Sequence, residues 1–321
     1  AQTLTLRLGS AVGPQDPTTL QLEALAARVA ERSGGRLTLD VIPIETVSLR
    51  NVDSLRAVQQ GVVDVMHLIP YYLTRDEPLF GVFAPHGLLV EAEQNLDIVD
   101  TQYDIAAEVL HDNWGMSIIA RAPFAGLRDI VLMSKAPIRS LDDLRKTRLR
   151  HFTRDGQAAF NALGVSAQVV PSSELYLALH TGVVDAAVYG PTYARSQSIY
   201  EVTDYITYMG AFTIAYPFAL IATDETLARI PDDLRTILAE ESKAMWDEGI
   251  ETWRQGAPEA EAYAWLTSEG GMTMLDPLPL EDRMTIQREL MRVWREGCAA
   301  MGERALGYCT RIEQALSAPA Q

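Results

Sequence analysis

Thr147–Pro191, TRLRHFTRDGQAAFNALGVSAQVVPSSELYLALHTGVVDAAVYGP, reads as strand, helix, strand, helix, strand. Thr153 can cap a first helix that ends at Gly164, and Pro171-Ser172-Ser173-Glu174 opens a second that ends at Gly182. Each helix is followed by a short β-branched run, so the stretch is a βαβαβ unit. In a parallel sheet of this kind ligands sit beyond the carboxyl ends of the strands. The first strand here ends in Arg148, Arg150 and His151, directly before a helix N-terminus. Positive side chains there meet free backbone donors, which suits an anion, and a carboxylate matches the planar guanidinium fork. Residues two apart on a strand share a face, so spacing leaves Arg148 and Arg150 both open as the clamp.

The tail of this unit occurs twice. Residues 55–68 read LRAVQQGVVDVMHL and residues 176–189 read YLALHTGVVDAAVY, with Gly61-Val62-Val63-Asp64 and Gly182-Val183-Val184-Asp185 identical. Both follow an apolar-periodic helix and open an apolar strand. Gly34-Gly35 to Pro43 supplies the strand that should precede the first copy, which favours a true repeat and two similar lobes.

The 321 residues, 48% of them apolar, suffice for two domains with their own cores. No window reaches the roughly 18 uninterrupted apolar residues of a membrane span. The chain opens Ala1-Gln2-Thr3-Leu4, just ahead of the first strand, as a processed secreted protein would begin. A net charge of -16 argues against nucleic acid or an anionic membrane as partner. Six of the 27 Lys and Arg nevertheless fall between Arg139 and Arg154. Arg139, Arg145 and Lys146 suit a solvated face beside Asp142 and Asp143, whereas Arg150 does not. Cys298 and Cys309 have neither metal spacing nor a CxxC partner. On one straight helix they would stand about 16 Å apart, at roughly 1.5 Å per residue, and a break at Gly302 would fold them together. A disulfide and two buried thiols both remain open.

Along the chain, Leu4–Leu8 alternates as a strand whose end reaches Ser10, a helix covers about Thr18 to Arg32, and Leu37–Ile42, Val52–Gln60 and Val62–Ile69 repeat strand, helix, strand. Ile69-Pro70-Tyr71-Tyr72 then lies at a strand end, where it should line the first lobe's side of a cleft with apolar and aromatic groups. Glu91–His111 is helical and Met116–Ala122 a strand. Pro123 to Arg128 marks a crossing into the second lobe, so Arg128 should face the cleft. Tyr205–Tyr208 and Ile214–Ala222 read as strands that return the chain, and Thr223 as a helix cap. Asp232–Glu269 is almost continuously helical, with Gly249, Gly256 and Pro258 expected to bend or interrupt it. Leu280–Ala315 gives two helices broken near Gly302. GxSxG, GxGxxG, Walker A and HExxH are absent, and the five histidines lack metal-ligand spacing. No enzyme, metal or cofactor is therefore expected.

Over nearly its whole length the chain resembles the substrate-binding proteins of tripartite ATP-independent periplasmic (TRAP) transporters. The likeness lies in Ser33-Gly34-Gly35-Arg36-Leu37, Leu55–Asp64, Pro137-Ile138-Arg139-Ser140-Leu141-Asp142-Asp143-Leu144 and Ser173–Asp185. The family's carboxylate-pairing arginine ends a strand after a D-L-K-G-x-K-x-R pattern, and Asp143–Arg150 puts Arg150 in that place. A second family arginine, in a G-[FLW]-R setting, matches Arg128. Where many members have Asn-Pro after the repeated Asp strand, this chain has Tyr189-Gly190-Pro191; the typical G-Q-L-G after the second strand is replaced by Ile44-Glu45-Thr46-Val47-Ser48. Sialic-acid-type members carry polar residues where Ile69 and Pro70 stand, which disfavours a heavily hydroxylated ligand.

The resemblance implies an α/β, two-lobed periplasmic-binding-protein fold with discontinuous lobes, crossing hinge strands and a long helix spanning both. Lobe I is expected over 1–124 plus 209–251, lobe II over 125–208 plus 252–321, with the ligand cleft between them. The implied function is extracytoplasmic capture, in the periplasm and as a monomer, of a small organic acid for delivery to a TRAP permease. An enzyme on the same scaffold or the sensing module of a receptor is the alternative. The resemblance assigns Arg150 to the carboxylate and Arg128 as second cation; Tyr189, Tyr71, Phe212 and Ser10 are expected in the walls. With these groups the ligand should have an apolar or aromatic body, such as a keto, hydroxy or aromatic monocarboxylate.

Overall fold

The computed structural model describes residues 3–124, 126–214 and 216–320. The first part of the chain forms β1 (Leu4–Ser10), α1 (Pro17–Arg32), β2 (Leu37–Pro43), α2 (Ser54–Gln59) and β3 (Val65–Leu68). Next come α3 (Gln94–Trp114), β4 (Met116–Arg121), β5 (Asp129–Ser134) and α4 (Leu141–Leu144). The stretch that decided the reading forms β6 (Arg148–His151), α5 (Arg154–Ala162), β7 (Ser166–Val169), α6 (Ser172–His180) and β8 (Ala186–Tyr189). After it lie α7 (Pro191–Ala194), β9 (Tyr205–Ala211), β10 (Ala219–Thr223), α8 (Asp224–Arg229) and α9 (Asp232–Gln255). The last elements are α10 (Ala257–Thr267), β11 (Thr273–Met274), α11 (Leu280–Met301) and α12 (Glu303–Ala315). Ala125 and Ala215, inside two of the expected crossings, lie outside the described residues.

The chain divides into two compact units. Unit 1 is Ala1–Phe83, Val99–Ala125 and Ala215–Arg254; unit 2 is Ala84–Ile98, Gly126–Ile214 and Gln255–Gln321. Among the described residues unit 1 holds a five-stranded sheet in the order β2-β1-β3-β10-β4, and unit 2 a six-stranded sheet in the order β11-β9-β5-β8-β6-β7. In each, the three strands of the βαβαβ unit are parallel, and a strand from another part of the chain pairs antiparallel beside them. Unit 1's core packs Leu22, Leu25 and Val29 of α1 on Leu6, Leu8 and Leu220 of the sheet. Unit 2 buries both sheet faces: Ile130, Leu132 and Leu149 pack with Phe160 on one side, and Val131, Met133 and Ala187 with Leu175 and Leu179 on the other.

Residues 84–98 and 209–214, expected with lobe I, group with unit 2. Non-local hydrogen bonds explain this. Asn95 Nδ2 donates to Phe212 O at 3.0 Å and its Oδ1 accepts from Ile214 N at 2.7 Å, while Thr213 Oγ1 donates to Pro85 O at 2.9 Å. Helix α3 therefore starts among unit 2 residues and continues, from Val99, among those of unit 1. The long helix expected over Asp232–Glu269 is broken at Gly256, which takes a left-handed φ of 64°. Gly249 does not bend it: a Cβ there would stand 2.3 Å from Phe124 O, so this glycine serves close packing. The helical break at Gly302 is present, and Cys298 and Cys309 are disulfide-bonded.

Candidate ligand-binding site

Both copies of the repeated tail are locked alike. Asp185 N donates to Arg148 O at 2.8 Å, and Arg148 forks back onto Asp185 through Nε at 3.0 Å and Nη2 at 2.8 Å. In unit 1, Asp64 N donates to Arg7 O at 2.9 Å, and Arg7 forks onto Asp64 at 3.1 and 3.0 Å. The aspartate of the duplicated motif thus ties the start of its own strand to an arginine of the neighbouring strand. Arg148 is exposed and occupied by this pair.

Arg150 is in a different state. It is 1% exposed, one of the largest fully buried side chains in the molecule. Nε donates to Val170 O at 2.8 Å, Nη1 to Val188 O at 2.9 Å and Nη2 to Ser172 Oγ at 3.0 Å. A guanidinium has five N–H donors. These contacts leave one on each terminal nitrogen, the fork that meets a carboxylate at two points. Among the described residues no carboxylate pairs with it. Burial lowers its pKa to about 10, so the group stays charged at neutral pH. A charge held this way, without a counter-ion, is costly until an anion arrives.

Rings surround the guanidinium. Its carbon lies 5.7 Å from the Tyr189 ring centroid and 6.0 Å from that of Phe152. Phe152 packs 5.7 Å from Phe212, and His86 meets Phe212 edge-on at 5.3 Å. His151 stacks on Phe152 at 4.7 Å and accepts from Thr153 N through Nδ1 at 3.0 Å, beside the Thr153 cap of α5. Burial, with Arg150's charge adding to it, lowers the His151 pKa to about 3, and burial lowers that of His86 to about 4. Both imidazoles are therefore neutral near pH 7. Burial also raises the Tyr189 phenol above its ordinary value.

The structure brings Arg150, Tyr189 and Phe212 together in unit 2 and puts the other expected residues elsewhere. Arg128 donates through Nη1 to Asp129 at 3.0 Å, while its backbone N donates to Glu259 at 3.0 Å. Its side chain lines a separate cavity of about 390 Å³ with Asp129, Tyr208, Tyr263 and Arg283, and Arg150 is not part of that lining. Tyr71, 43% exposed, belongs to an aromatic group in unit 1 with Tyr72 at 4.6 Å, Tyr216 at 5.5 Å and Phe218 at 6.0 Å. Ser10 is fully buried, hydrogen-bonded to Thr19 Oγ1 at 2.7 Å. Sequence reasoning passed over Phe152, although it follows the strand-end arginine by two positions. It also passed over His86, which only the fold brings near. Among the described residues no cluster of His, Cys, Asp or Glu could hold a metal ion, and no helix is long and apolar enough to cross a membrane.

A buried guanidinium at a strand end, with two N–H groups left over and no carboxylate partner among the described residues, suits an anion. Residues 8–299 match the family described as bacterial extracellular solute-binding protein, family 7, and the chain belongs to that family. It is a periplasmic protein. It is 22% identical over 95% of its length to 90% of the C4-dicarboxylate-binding periplasmic protein DctP of Rhodobacter capsulatus. A second relative, the monocarboxylate 2-oxoacid-binding periplasmic protein of a Nostoc species, is 28% identical over 68% of this chain and 60% of its own. The crystal structure of a TRAP periplasmic solute-binding protein from Rhodobacter sphaeroides aligns over 98% of both chains with a TM-score of 0.80 at 22% identity. The α/β, two-lobed fold class expected from the sequence is the one found.

Proposed function

We propose that the protein captures a small organic acid by its carboxylate at Arg150 and delivers it to the permease subunits of a TRAP transporter. The observation that carries this reading is the buried guanidinium, which keeps one N–H on each terminal nitrogen and no carboxylate partner among the described residues. Family membership and two relatives named for carboxylate binding support it. The bound acid lies over Ser172 at the N-terminus of α6, where backbone donors and the helix dipole favour negative charge. The rings of Phe152, Tyr189 and Phe212 cover its body, and Arg128 supports the cradle through its carbonyl, which accepts from Phe212 N at 3.1 Å. The protein works as a monomer and leaves every bond of the acid intact.

Calorimetry on Arg150→Lys tests the assignment, because lysine keeps the charge and loses the planar fork. Affinity for a bound acid should fall by at least about tenfold, near 1.4 kcal/mol, while Arg148→Lys leaves it unchanged. Wild-type affinity in Arg150→Lys would refute the role, and recovery of a chemically altered acid would refute the binding-protein reading.

A further inference from the structure

The cradle around Arg150 offers one buried positive charge. Arg148 and Arg128, the other arginines of neighbouring strand ends, are committed to Asp185 and Asp129. Arg154, at the start of α5, is exposed. The polar rings at the cradle, His86 and His151, carry no charge at neutral pH because burial depresses both. Besides its acceptors Val170 O, Val188 O and Ser172 Oγ, which carry no positive charge, the guanidinium is flanked by the rings of Phe152 and Tyr189, with Phe212 packed on Phe152.

We infer that the acid is a monocarboxylate with a flat or branched apolar body, that a second carboxylate is rejected, and that Phe152 and His86 set this preference. The inference rests on the assignment of Arg150 made above. One carboxylate satisfies the guanidinium fork. A second, on the same small molecule, would be buried against phenyl faces and a neutral imidazole with no cation to meet it. Phenyl faces carry negative quadrupole charge, so they attract the guanidinium and repel a carboxylate. An unpaired buried carboxylate is among the costliest groups a site can accept. An apolar end of the same size instead loses only water.

The test is a pair of acids of equal chain length that differ at one end, 4-methyl-2-oxopentanoate and 2-oxopentanedioate, titrated calorimetrically into the full chain. The monocarboxylate should bind at least about a hundredfold tighter, the scale on which buried unpaired groups discriminate. Phe152→Lys, which supplies a second cation, should cut that ratio by at least about tenfold; His86→Lys serves if the first variant does not fold. A structural role for Phe152 would weaken both acids alike and leave the ratio unmoved, which would overturn its assignment. Equal or tighter binding of the dicarboxylate, still abolished by Arg150→Met, would overturn the inference and leave the carboxylate reading standing. Binding of both acids that survives Arg150→Met, or no binding of either, would overturn the carboxylate reading itself.

Discussion

Position for position, the two βαβαβ units fill the same space with opposite choices. Their Arg–Asp locks align Arg7 with Arg148 and Asp64 with Asp185, which puts Gly9 opposite Arg150 and Met66 opposite Ala187. In unit 1 a Cβ on Gly9 would stand 2.5 Å from Met66 Sδ and 3.2 Å from both Ile44 and Val63: neighbours occupy the volume. In unit 2 the corresponding neighbours are Ala187, Val170 and Val184, each no larger than its counterpart, and the volume holds a guanidinium. A second exchange lies beside the first. Ser10 faces Thr19, the third residue of α1, whereas His151 faces Gly156, the third residue of α5, closely enough that a Cβ on Gly156 would stand 2.0 Å from the ring. Close-packed interiors require such compensation, since a methylene gained on one side must be lost on the other. One scaffold thus yields an inert strand end in unit 1 and a charged one in unit 2.

Removing the guanidinium should erase the difference. Arg150→Met keeps the length of the side chain and most of its volume. The wild-type protein should gain about 2.7 kcal/mol of stability at a hundredfold excess of acid over Kd, and the variant should gain none. Its ligand-free melting temperature should move far less than that, because relief of an unpaired buried charge offsets the loss of three hydrogen bonds. A ligand-induced shift that persists in Arg150→Met would show that the charged strand end is not the binding end.

The second exchange predicts a smaller effect. Gly156→Ala forces the His151 ring out from under α5 and with it the stack on Phe152, at a cost of about 1–3 kcal/mol for overpacking. Affinity should drop although Arg150 is untouched. The counterpart in unit 1, Thr19→Ala, removes the hydrogen bonds of Thr19 Oγ1 with Ser10 Oγ and Gly13 O, costs about 2 kcal/mol and leaves affinity unchanged. Chemical denaturation and calorimetry on both variants check this; equal effects on affinity would mean that the two strand ends are not functionally distinct.

Much of the frame was legible because local chemistry dictates it. Thr153 caps α5 through Gly156 N at 3.0 Å, Gly61 and Gly182 end their helices at φ 70° and 76°, and Gly302 breaks the C-terminal helices. The repeat was legible as four identical residues, and the structure supplies their cause in the Arg–Asp locks. What stayed hidden depends on partners distant in sequence. Asn95 ties residues 84–98 to Phe212 and Ile214, more than a hundred positions away, and no local pattern announces it. Arg128 read as a cation facing the ligand because it ends an expected crossing and matches a family arginine; the structure pairs it with Asp129, whose carboxylate Tyr263 on α10 also reaches at 2.7 Å, and that contact spans 134 positions. Arg148 and Arg150 could not be separated by spacing. Their difference is burial, a property of the sheet: Arg148 sits at the strand's exposed start, whereas Arg150 is buried and bonded to Ser172 at the start of α6.

The locks themselves give the smallest effect, and one that should separate the units by pH. Both aspartates have lowered pKa values. In Asp185 the main cause is the hydrogen bond from Arg148; in Asp64 burial opposes the shift and the bonds from Arg7 overcome it. A carboxyl whose folded pKa lies below its unfolded value stabilises the fold above the unfolded value, near about 3.9, and the contribution is lost as pH falls through the folded value. Asp64→Asn and Asp185→Asn should therefore lower the melting temperature at pH 7 and have progressively less effect as pH is taken below the ordinary carboxylate range. Asp64 should matter more, because its side chain is 14% exposed against 32% for Asp185 and solvent screens it less. Neither substitution touches the cradle, so affinity for the acid should hold in both. A loss of affinity confined to Asp185→Asn would mean that the lock also sets the position of β6, and with it the guanidinium two residues further on.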